Sequence, residues 1–287
     1  MTVSQYISKT VSFKFRGMSF VFDLSQGLFS SAGVDTGTKL LLKVFSRVLD
    51  EDKAAGKAPP QRVLDSGCGA GIIGICAAAA ILPLTRNNAL VRCQDRDELA
   101  RLITLHNARQ NNIPPSALEA YTEPLLGGPD SASSEEASPS MEGGWDLILS
   151  NIPAKAGIPV LEDFVRRSAG MLKPGGKVIM VAVNPLTGFF RERISAETEL
   201  LGEETGSGHA VFVYGPQTRD DARCSHSDFF LQYPFYARAA LSYAIEDIPI
   251  RLETVHGAGG FDHPGGAVLA AAKLIRHISA ASLLRPL

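Results

Sequence analysis

The sequence predicts an α/β protein: a mostly parallel sheet with helices on both faces. Two observations carry that expectation. Between residues 61 and 216, short apolar runs alternate with segments of helical length, a pattern that belongs to a sheet covered above and below. A glycine-rich turn, "DSGCGAGIIG" at residues 65–74, joins one such run to a helix, the place where sheets of this kind approach a ligand. A β-hairpin is expected before this core and a smaller α+β appendage after it.

The elements follow in order. "VSFKFRGMSFVFDL", residues 11–24, alternates apolar and polar on both sides of Arg16-Gly17 and reads as a hairpin. Asp35 and Thr36 precede Leu40, Leu41, Val44 and Val48 at helical spacing, so a helix begins near Thr36 to Thr38. "DEDKAAGKAPPQ" is a loop. "RVLDSG" is a strand, "GIIGICAAAAILPL" a helix, "LVRCQD" a strand and "DELARLITLHNARQNN" a helix. "LEAYTE" is a short strand and "WDLILSN" the next. "PVLEDFVRRSAGML" is a helix, "KPGG" the turn after it, "KVIMVAV" a strand and "GHAVFVYG" the final one. Residues 127–144, rich in Gly, Ser, Pro and Glu, cannot bury enough apolar surface to order themselves and are expected to form a disordered surface loop.

The domain reading is a main domain over 1–216, with hairpin and helix in 1–50 and the α/β core in 61–216, followed by an appendage at 217–287. The appendage has the pattern of the N-terminus. "YARAALSYAIEDIPIRLETVHG" from Tyr236 aligns with "YISKTVSFKFRGMSFVFDLSQG" from Tyr6, apolar on apolar through Phe13/Tyr243, Phe15/Ile245, Met18/Ile248 and Phe20/Ile250. It lacks the polar Asp and Thr of the first copy, so packing or partner contact is expected of it rather than chemistry.

Composition excludes several classes. With 287 residues, 45% apolar and 20% charged, the chain has ample material for a globular core. A net charge of −2 gives no bulk attraction to nucleic acid or anionic membranes. Cys68, Cys76, Cys93 and Cys224 have no metal-ligand spacing and read as reduced, buried thiols, so no metal is expected. The N-terminus has no apolar segment of signal length, and the longest apolar run stops at Pro83, too short for a bilayer. A cytoplasmic protein without a membrane partner is expected, as a monomer or a homodimer.

The glycine loop admits two ligands. Gly69, Gly71 and Gly74 satisfy the dinucleotide fingerprint G-x-G-x-x-G, while Gly67, Gly69 and Gly71 satisfy D-x-G-x-G-x-G with Asp65 at the strand end. Both use backbone that a ligand can approach closely and the free N–H groups of a helix start. A pyrophosphate wants no carboxylate nearby, whereas an amino-acid ligand carries an ammonium group that Asp65 would attract. That favours S-adenosylmethionine over NAD. Asp95, closing the second strand, is placed to accept both ribose hydroxyls, with helix N-cap as its alternative role, for which Asp97 is the better residue. Glu123 at the end of the third strand is expected near the adenine.

"WDLILSNIPAKAG" supplies the discriminating feature. Asn151 ends the fourth strand, which flanks the crevice together with the first. Its carboxamide oxygen and the carbonyl of Ile152 can each accept a hydrogen bond from one amino group. Pro153 fixes its own φ and disfavours helix for Ile152, holding that carbonyl outward. Two acceptors on one amino group aim its lone pair at a methyl donor.

Taken together, "GLFSSAGVDTGTKLLL", "VLDSGCGAGIIG", "QDRD", "WDLILSNIPAKAG", "LKPGGKVIMVAVNPL" and "HAVFVYG" resemble, in order and spacing, the "methyltransferase small" family, over roughly residues 8–215. That family includes ribosomal-RNA guanine-N2 methyltransferases. The resemblance implies a Rossmann-like class I methyltransferase with a seven-stranded sheet and S-adenosylmethionine as cofactor. It implies that Asp65, Gly67, Gly69 and Gly71 hold the methionine end and Asp95 the ribose. Asp35, Thr36 and Thr38 would border the cofactor, and Asn151 to Ala154, with Ile152 and Pro153, would grip the target amino group. Ribosomal RNA or a ribosomal subunit is the implied partner, with Lys9, Lys14, Arg16, Lys39, Lys43 and Arg47 as candidate contacts.

The family usually has Asn-Pro-Pro followed by Phe or Tyr, and this chain has Asn-Ile-Pro-Ala. Ala154 cannot stack on a base, an interaction worth about 1–3 kcal/mol, and Phe29, Phe189 or Phe190 are the candidates to replace it. The leading expectation is methylation of an exocyclic amino group, guanine N2 of ribosomal RNA first. The alternatives are a protein side-chain amide or small molecule as substrate, a fold that binds S-adenosylmethionine without catalysis, and, more distantly, an NAD-dependent oxidoreductase.

Overall fold

The computed structural model describes residues 3–28, 32–126, 144–217, 237–245, 248–255 and 266–283. The chain divides into two units, residues 1–154 with 162–226, and residues 155–161 with 227–287.

In the first unit the alternating N-terminal run forms a hairpin, β1 (Lys9–Phe15) and β2 (Met18–Leu24), paired from Lys9↔Leu24 to Phe15↔Met18. Arg16 and Gly17 both have positive φ, 49° and 78°, the tight two-residue turn whose twist suits paired strands. After it comes α1 (Thr36–Ala54). Asp35 caps this helix by accepting the Thr38 N–H at 2.9 Å, so the helix starts where the cap and the apolar spacing place it.

The core then runs β3 (Arg62–Ser66), α2 (Ile72–Ile81), β4 (Leu90–Asp95), α3 (Glu98–Gln110), β5 (Leu118–Thr122), β6 (Trp145–Asn151), α4 (Ile158–Gly170), β7 (Leu172–Val183), α5 (Thr187–Glu197), β8 (Glu199–Thr205) and β9 (His209–Gly215). The sheet order is β5-β4-β3-β6-β7-β9-β8, with β9 antiparallel to both β7 and β8. The seven strands and their mostly parallel pairing match what the family resemblance implies, one strand more than the run-by-run reading supplied. The direction of winding reverses between β3 and β6, and beyond the carboxyl ends of strands at such a point open α/β sheets bind their ligands.

Helices α1, α2 and α3 share one apolar core with alternate residues of the strands, including Val63, Val91, Leu147, Leu149, Ile179 and Val181. On the opposite face α4 buries Phe164 and Val165, and α5 buries Phe190 and Ile194. There the Ser168 and Tyr214 hydroxyls meet at 2.8 Å. Helix α2 comes so close to the sheet that a Cβ on Gly74 would lie 2.3 Å from the Cys93 sulfur. Glycine there is a packing requirement. The exposed edge of β2 is closed by amides from α3. Asn107 accepts the Asp23 N–H at 2.9 Å and donates to the carbonyls of Asp23 and Ala70, while Asn111 exchanges two bonds with Val21.

Two expectations differ from what is seen. The "KPGG" turn lies within the span of β7: Leu172 pairs with Trp145 and Lys177 with Leu147, and the residues between are looped out of register. Strand β8 was not expected, because "ELLGEET" does not alternate. It is an edge strand held by charge, with Glu203 paired to Arg191 and Glu204 to Lys43 and Arg47.

The second unit contains β10 (Ala237–Ile245), β11 (Ile248–Val255) and α6 (Gly266–Leu283). Ile245 pairs with Ile248 as Phe15 pairs with Met18, and adding 230 to each N-terminal number gives the C-terminal one. The two hairpins therefore share a register up to a bulge between Ala237 and Ala239. Residues 127–143, most of the expected disordered loop, lie outside the described residues, as do Phe29, Tyr236 and Cys224. Cys68, Cys76 and Cys93 are buried free thiols.

Candidate active site

The glycine loop connects β3 to α2 and is held by hydrogen bonds from its own backbone. The carbonyl of Gln94 accepts the N–H groups of Gly67 and Cys68, at 2.9 and 3.0 Å, and the Cys68 carbonyl accepts that of Gly71 at 2.8 Å. Gly67, Gly69 and Gly71 have φ of 77°, 54° and 79°, a conformation that side chains rarely tolerate. The three are not equivalent. A Cβ on Gly71 would strike the Thr104 side chain at 2.8 Å, and one on Gly67 would press on Leu125 at 3.2 Å. A Cβ on Gly69 would project into open space. Gly69 is thus where the loop presents bare backbone to the crevice, and that surface fits a ligand lying directly against it.

Asp95 bridges this loop to the next turn. Its Oδ2 accepts the Gly69 N–H at 3.0 Å and its Oδ1 the Asp97 N–H at 3.1 Å, while Asp97, not Asp95, caps α3 through the Leu99 N–H. Burial raises the Asp95 pKa, against the two backbone N–H groups that favour the anion.

Asp65 departs from the simple picture of a carboxylate facing the ligand. It is 0% exposed, and its Oδ2 accepts the Gly74 N–H at 2.8 Å. The strand's alternation turns its side chain under the loop, toward α2 and the buried thiols. Burial pushes its pKa up to about 7, with the Gly74 N–H opposing and the Asp95 charge adding to the rise. Asp65 therefore shapes the loop from beneath. Glu123 is also committed elsewhere. Arg92, 1% exposed on β4, pairs with it at 2.9 Å and stacks over the Tyr121 ring. The Glu123 carboxylate neutralises a buried guanidinium, and burial pushes its own pKa up.

The tips of β3 and β6 are tied together where the Ser150 hydroxyl donates to the Ser66 carbonyl at 2.8 Å. Asn151 ends β6 beside that tie. The Ile152 N–H donates to the Val181 carbonyl at 3.1 Å and the Ile152 side chain is buried, while Pro153 and Ala154 are exposed. Sequence reasoning missed what stands behind the amide. Asn151 Nδ2 donates to Asp35 Oδ1 at 3.2 Å and to Thr38 Oγ1 at 3.1 Å. The first turn of α1, expected to border a cofactor, meets the strand tip. The Thr36 hydroxyl instead bonds His209 Nδ1 at 3.2 Å. No signal in the chain links positions 116 residues apart.

Phe190 is 0% exposed against Phe212, so it cannot take the place of the aromatic absent at Ala154. Most of the candidate RNA-contacting cations have other partners. Arg16 pairs with Asp50, Lys43 and Arg47 with Glu204, and Lys9 donates to the Ala32 carbonyl. Lys14 and Lys39 line a shallow groove between the hairpin turn and α1. Among the described residues no helix is long and apolar enough to cross a membrane.

The methyltransferase small domain family model matches residues 19–192. The uncharacterized protein YbxB of Bacillus subtilis is 31% identical over 173 residues, 60% of this chain and 73% of that protein. Ribosomal RNA small subunit methyltransferase C of Haemophilus influenzae is 31% identical over 160 residues, 54% of this chain but 39% of that protein. Among solved structures, the T. thermophilus 16S rRNA N2 methyltransferase RsmC, in complex with AdoMet and guanosine, superposes with a TM-score of 0.53 at 23% identity, covering 74% of this chain and 51% of that one. That last likeness speaks for the fold. The glycine loop at the tip of β3, the Asn151 motif at the tip of β6 and the family match over most of the core agree: the chain belongs to the methyltransferase small domain family of S-adenosylmethionine-dependent methyltransferases.

Proposed function

We propose that this chain methylates an exocyclic amino group, with guanine N2 of ribosomal RNA as its substrate and the cytoplasm as its location. One observation carries the reading: Asn151-Ile152-Pro153 lies at the switch point, at a strand tip tied directly to the glycine loop. The H. influenzae and T. thermophilus proteins, named for ribosomal RNA, support that substrate class. The chain spans well under half of the former, so the substrate is inferred from the shared portion.

Gly69 backbone would lie against the amino-acid end of S-adenosylmethionine, and Asp95 would accept hydrogen bonds from its ribose. When bound, that cofactor supplies an electrophilic methyl carbon on a sulfonium. The protein's part is positioning. Asn151 Oδ1 and the Ile152 carbonyl accept the two hydrogens of the target amino group, which turns its lone pair toward the donor. As nitrogen becomes positive, both oxygens stabilise the charge. Neither is basic enough to keep a proton, so the displaced proton leaves to water. The exposed Ala154 favours a second reading, a protein side-chain amide, which presents no ring to stack on.

The test supplies methyl-labelled S-adenosylmethionine and compares RNA, protein and metabolite fractions. Label in RNA that disappears with Asn151→Ala is the expected result. Label confined to protein would favour the second reading, and label that survives the substitution would remove Asn151 from the reaction.

A further inference from the structure

We infer that Asp35 and Thr38 are positioning residues that lock the Asn151 carboxamide in one orientation, with its oxygen toward the substrate. The inference rests on the reading of Asn151 as the amino-group acceptor and assigns to the helix cap a part in that reaction.

A carboxamide has two orientations that differ by exchange of oxygen and nitrogen. In a free crevice both would be populated, and one of them would present N–H groups to an amino group that needs acceptors. The surroundings of Asn151 remove that freedom. Its Nδ2 faces three acceptors: Asp35 Oδ1 at 3.2 Å, Asp35 Oδ2 at 3.4 Å and Thr38 Oγ1 at 3.1 Å. The Thr38 hydroxyl has one hydrogen, and that hydrogen is given to Asp35 Oδ2 at 2.7 Å. Thr38 therefore offers Asn151 a lone pair. A rotated amide would set its oxygen against the Asp35 carboxylate and could gain the one hydrogen of the Thr38 hydroxyl only by taking it from Asp35. Thr38 is 4% exposed, so water does not replace these bonds at its hydroxyl.

Asp35 is held in its turn. Its Oδ1 also accepts the Thr38 N–H at 2.9 Å as the cap of α1, so its geometry comes with the helix. The arrangement has a second effect. An anion at the nitrogen end of an amide polarises it and raises the electron density on its oxygen. Charge developing on the methylated nitrogen would therefore meet a stronger acceptor, backed by a full negative charge one amide away.

The test uses Asp35→Asn, which keeps an efficient helix cap, and Thr38→Val, which keeps shape and loses the hydroxyl. With Asp35→Asn, kcat is expected to fall about 100-fold, the lower end of the range seen for loss of one oriented electrostatic contact. Affinity for S-adenosylhomocysteine by calorimetry and the thermal midpoint should stay close to wild type. In an Asn151→Ala background, Asp35→Asn should cost little more, because a residue acting through Asn151 has nothing left to act on. Additive losses, or a matching loss of S-adenosylhomocysteine affinity, would overturn the inference and make Asp35 a cofactor contact.

A readout independent of turnover is the pair of Asn151 side-chain amide protons in ¹⁵N spectra, identified by their disappearance in Asn151→Ala. They should exchange slowly in wild type and rapidly in Asp35→Asn, with Thr38→Val between. Equal exchange in all three would sink the proposal. Absence of methyl transfer by wild type would instead count against the proposed function, while the spectra still report whether the amide is held.

Discussion

Replacing Asp65 with Asn tests the reasoning about the buried carboxyl most directly. The side chain is wholly excluded from water, and burial pushes its pKa up to about 7. In the unfolded chain the same group titrates near the usual carboxylate value of about 3.9. The folded pKa is the higher, so between these values the native state holds a proton that the unfolded state has released. Stability from this group is fully present below pH about 4, is lost as pH rises, and is gone above pH about 7. A separation of roughly three pH units at 1.36 kcal/mol each gives an upper bound of about 4 kcal/mol.

Asp65→Asn cannot ionise, and its carboxamide oxygen can still accept the Gly74 N–H. Its –NH2 replaces Oδ1, an atom without a hydrogen-bond partner in the folded chain, so the variant buries an unpaired donor at a cost of about 1–3 kcal/mol. That cost does not depend on pH. The diagnostic quantity is therefore the pH dependence of the difference between variant and wild type, read from urea unfolding at several pH values from 4.5 to 8. The variant should gain on wild type by about 2–4 kcal/mol across that range. A difference constant within about 0.5 kcal/mol would mean that Asp65 ionises like an exposed acid, and the argument from its burial would fail.

Two further substitutions test the packing that positions the site. Gly74→Ala drives a methyl group to 2.3 Å from the Cys93 sulfur and 3.0 Å from Asp65 Oδ2, so it should destabilise by about 2–3 kcal/mol in chemical unfolding and weaken S-adenosylhomocysteine binding by displacing the loop. Asn107→Ala removes its three bonds to Asp23 and Ala70, leaves the edge of β2 unsatisfied and should cost about 2–4 kcal/mol, with hydrogen exchange at the Asp23 amide accelerated beyond the global change.

What the sequence made legible follows from how local each signal is. The strands of the parallel core announce themselves because both faces are buried, so the consecutive residues of "LIL" in β6 and "VIMVAV" in β7 are apolar whichever way they point. The cap of α1 was readable because Asp35 and Thr38 act within one turn. The glycine loop was readable because positive φ restricts residue type. Edge strand β8 was missed because its polar side chains pair with Arg191 of α5 and with Lys43 and Arg47 of α1, and the α1 partners lie far away in sequence. The burial of Asp65 and the pairing of Glu123 with Arg92 were missed for a related reason. A strand's alternation says that a side chain changes face, but not which face a helix will cover.

The contact between α1 and the tip of β6 shows what such distant pairing requires of the chain. Helix α1 lies across β7 and β9, and its first turn reaches β6. Leu41, Leu42, Val44 and Phe45 bury its apolar face fully. The polar first turn is carried into the same packed surface, where an unpaired carboxylate, hydroxyl or amide would each be destabilising. Asp35, Thr38 and Asn151 satisfy one another, so docking of the helix and orientation of the amide are one event. Alanine at any of the three leaves the others partly orphaned and opens a gap, weakening both at once, whereas Asp35→Asn and Thr38→Val keep the shape and perturb orientation with less damage to packing. The substitutions that separate the two roles are therefore the ones that hold shape constant and change only where hydrogens and charge reside.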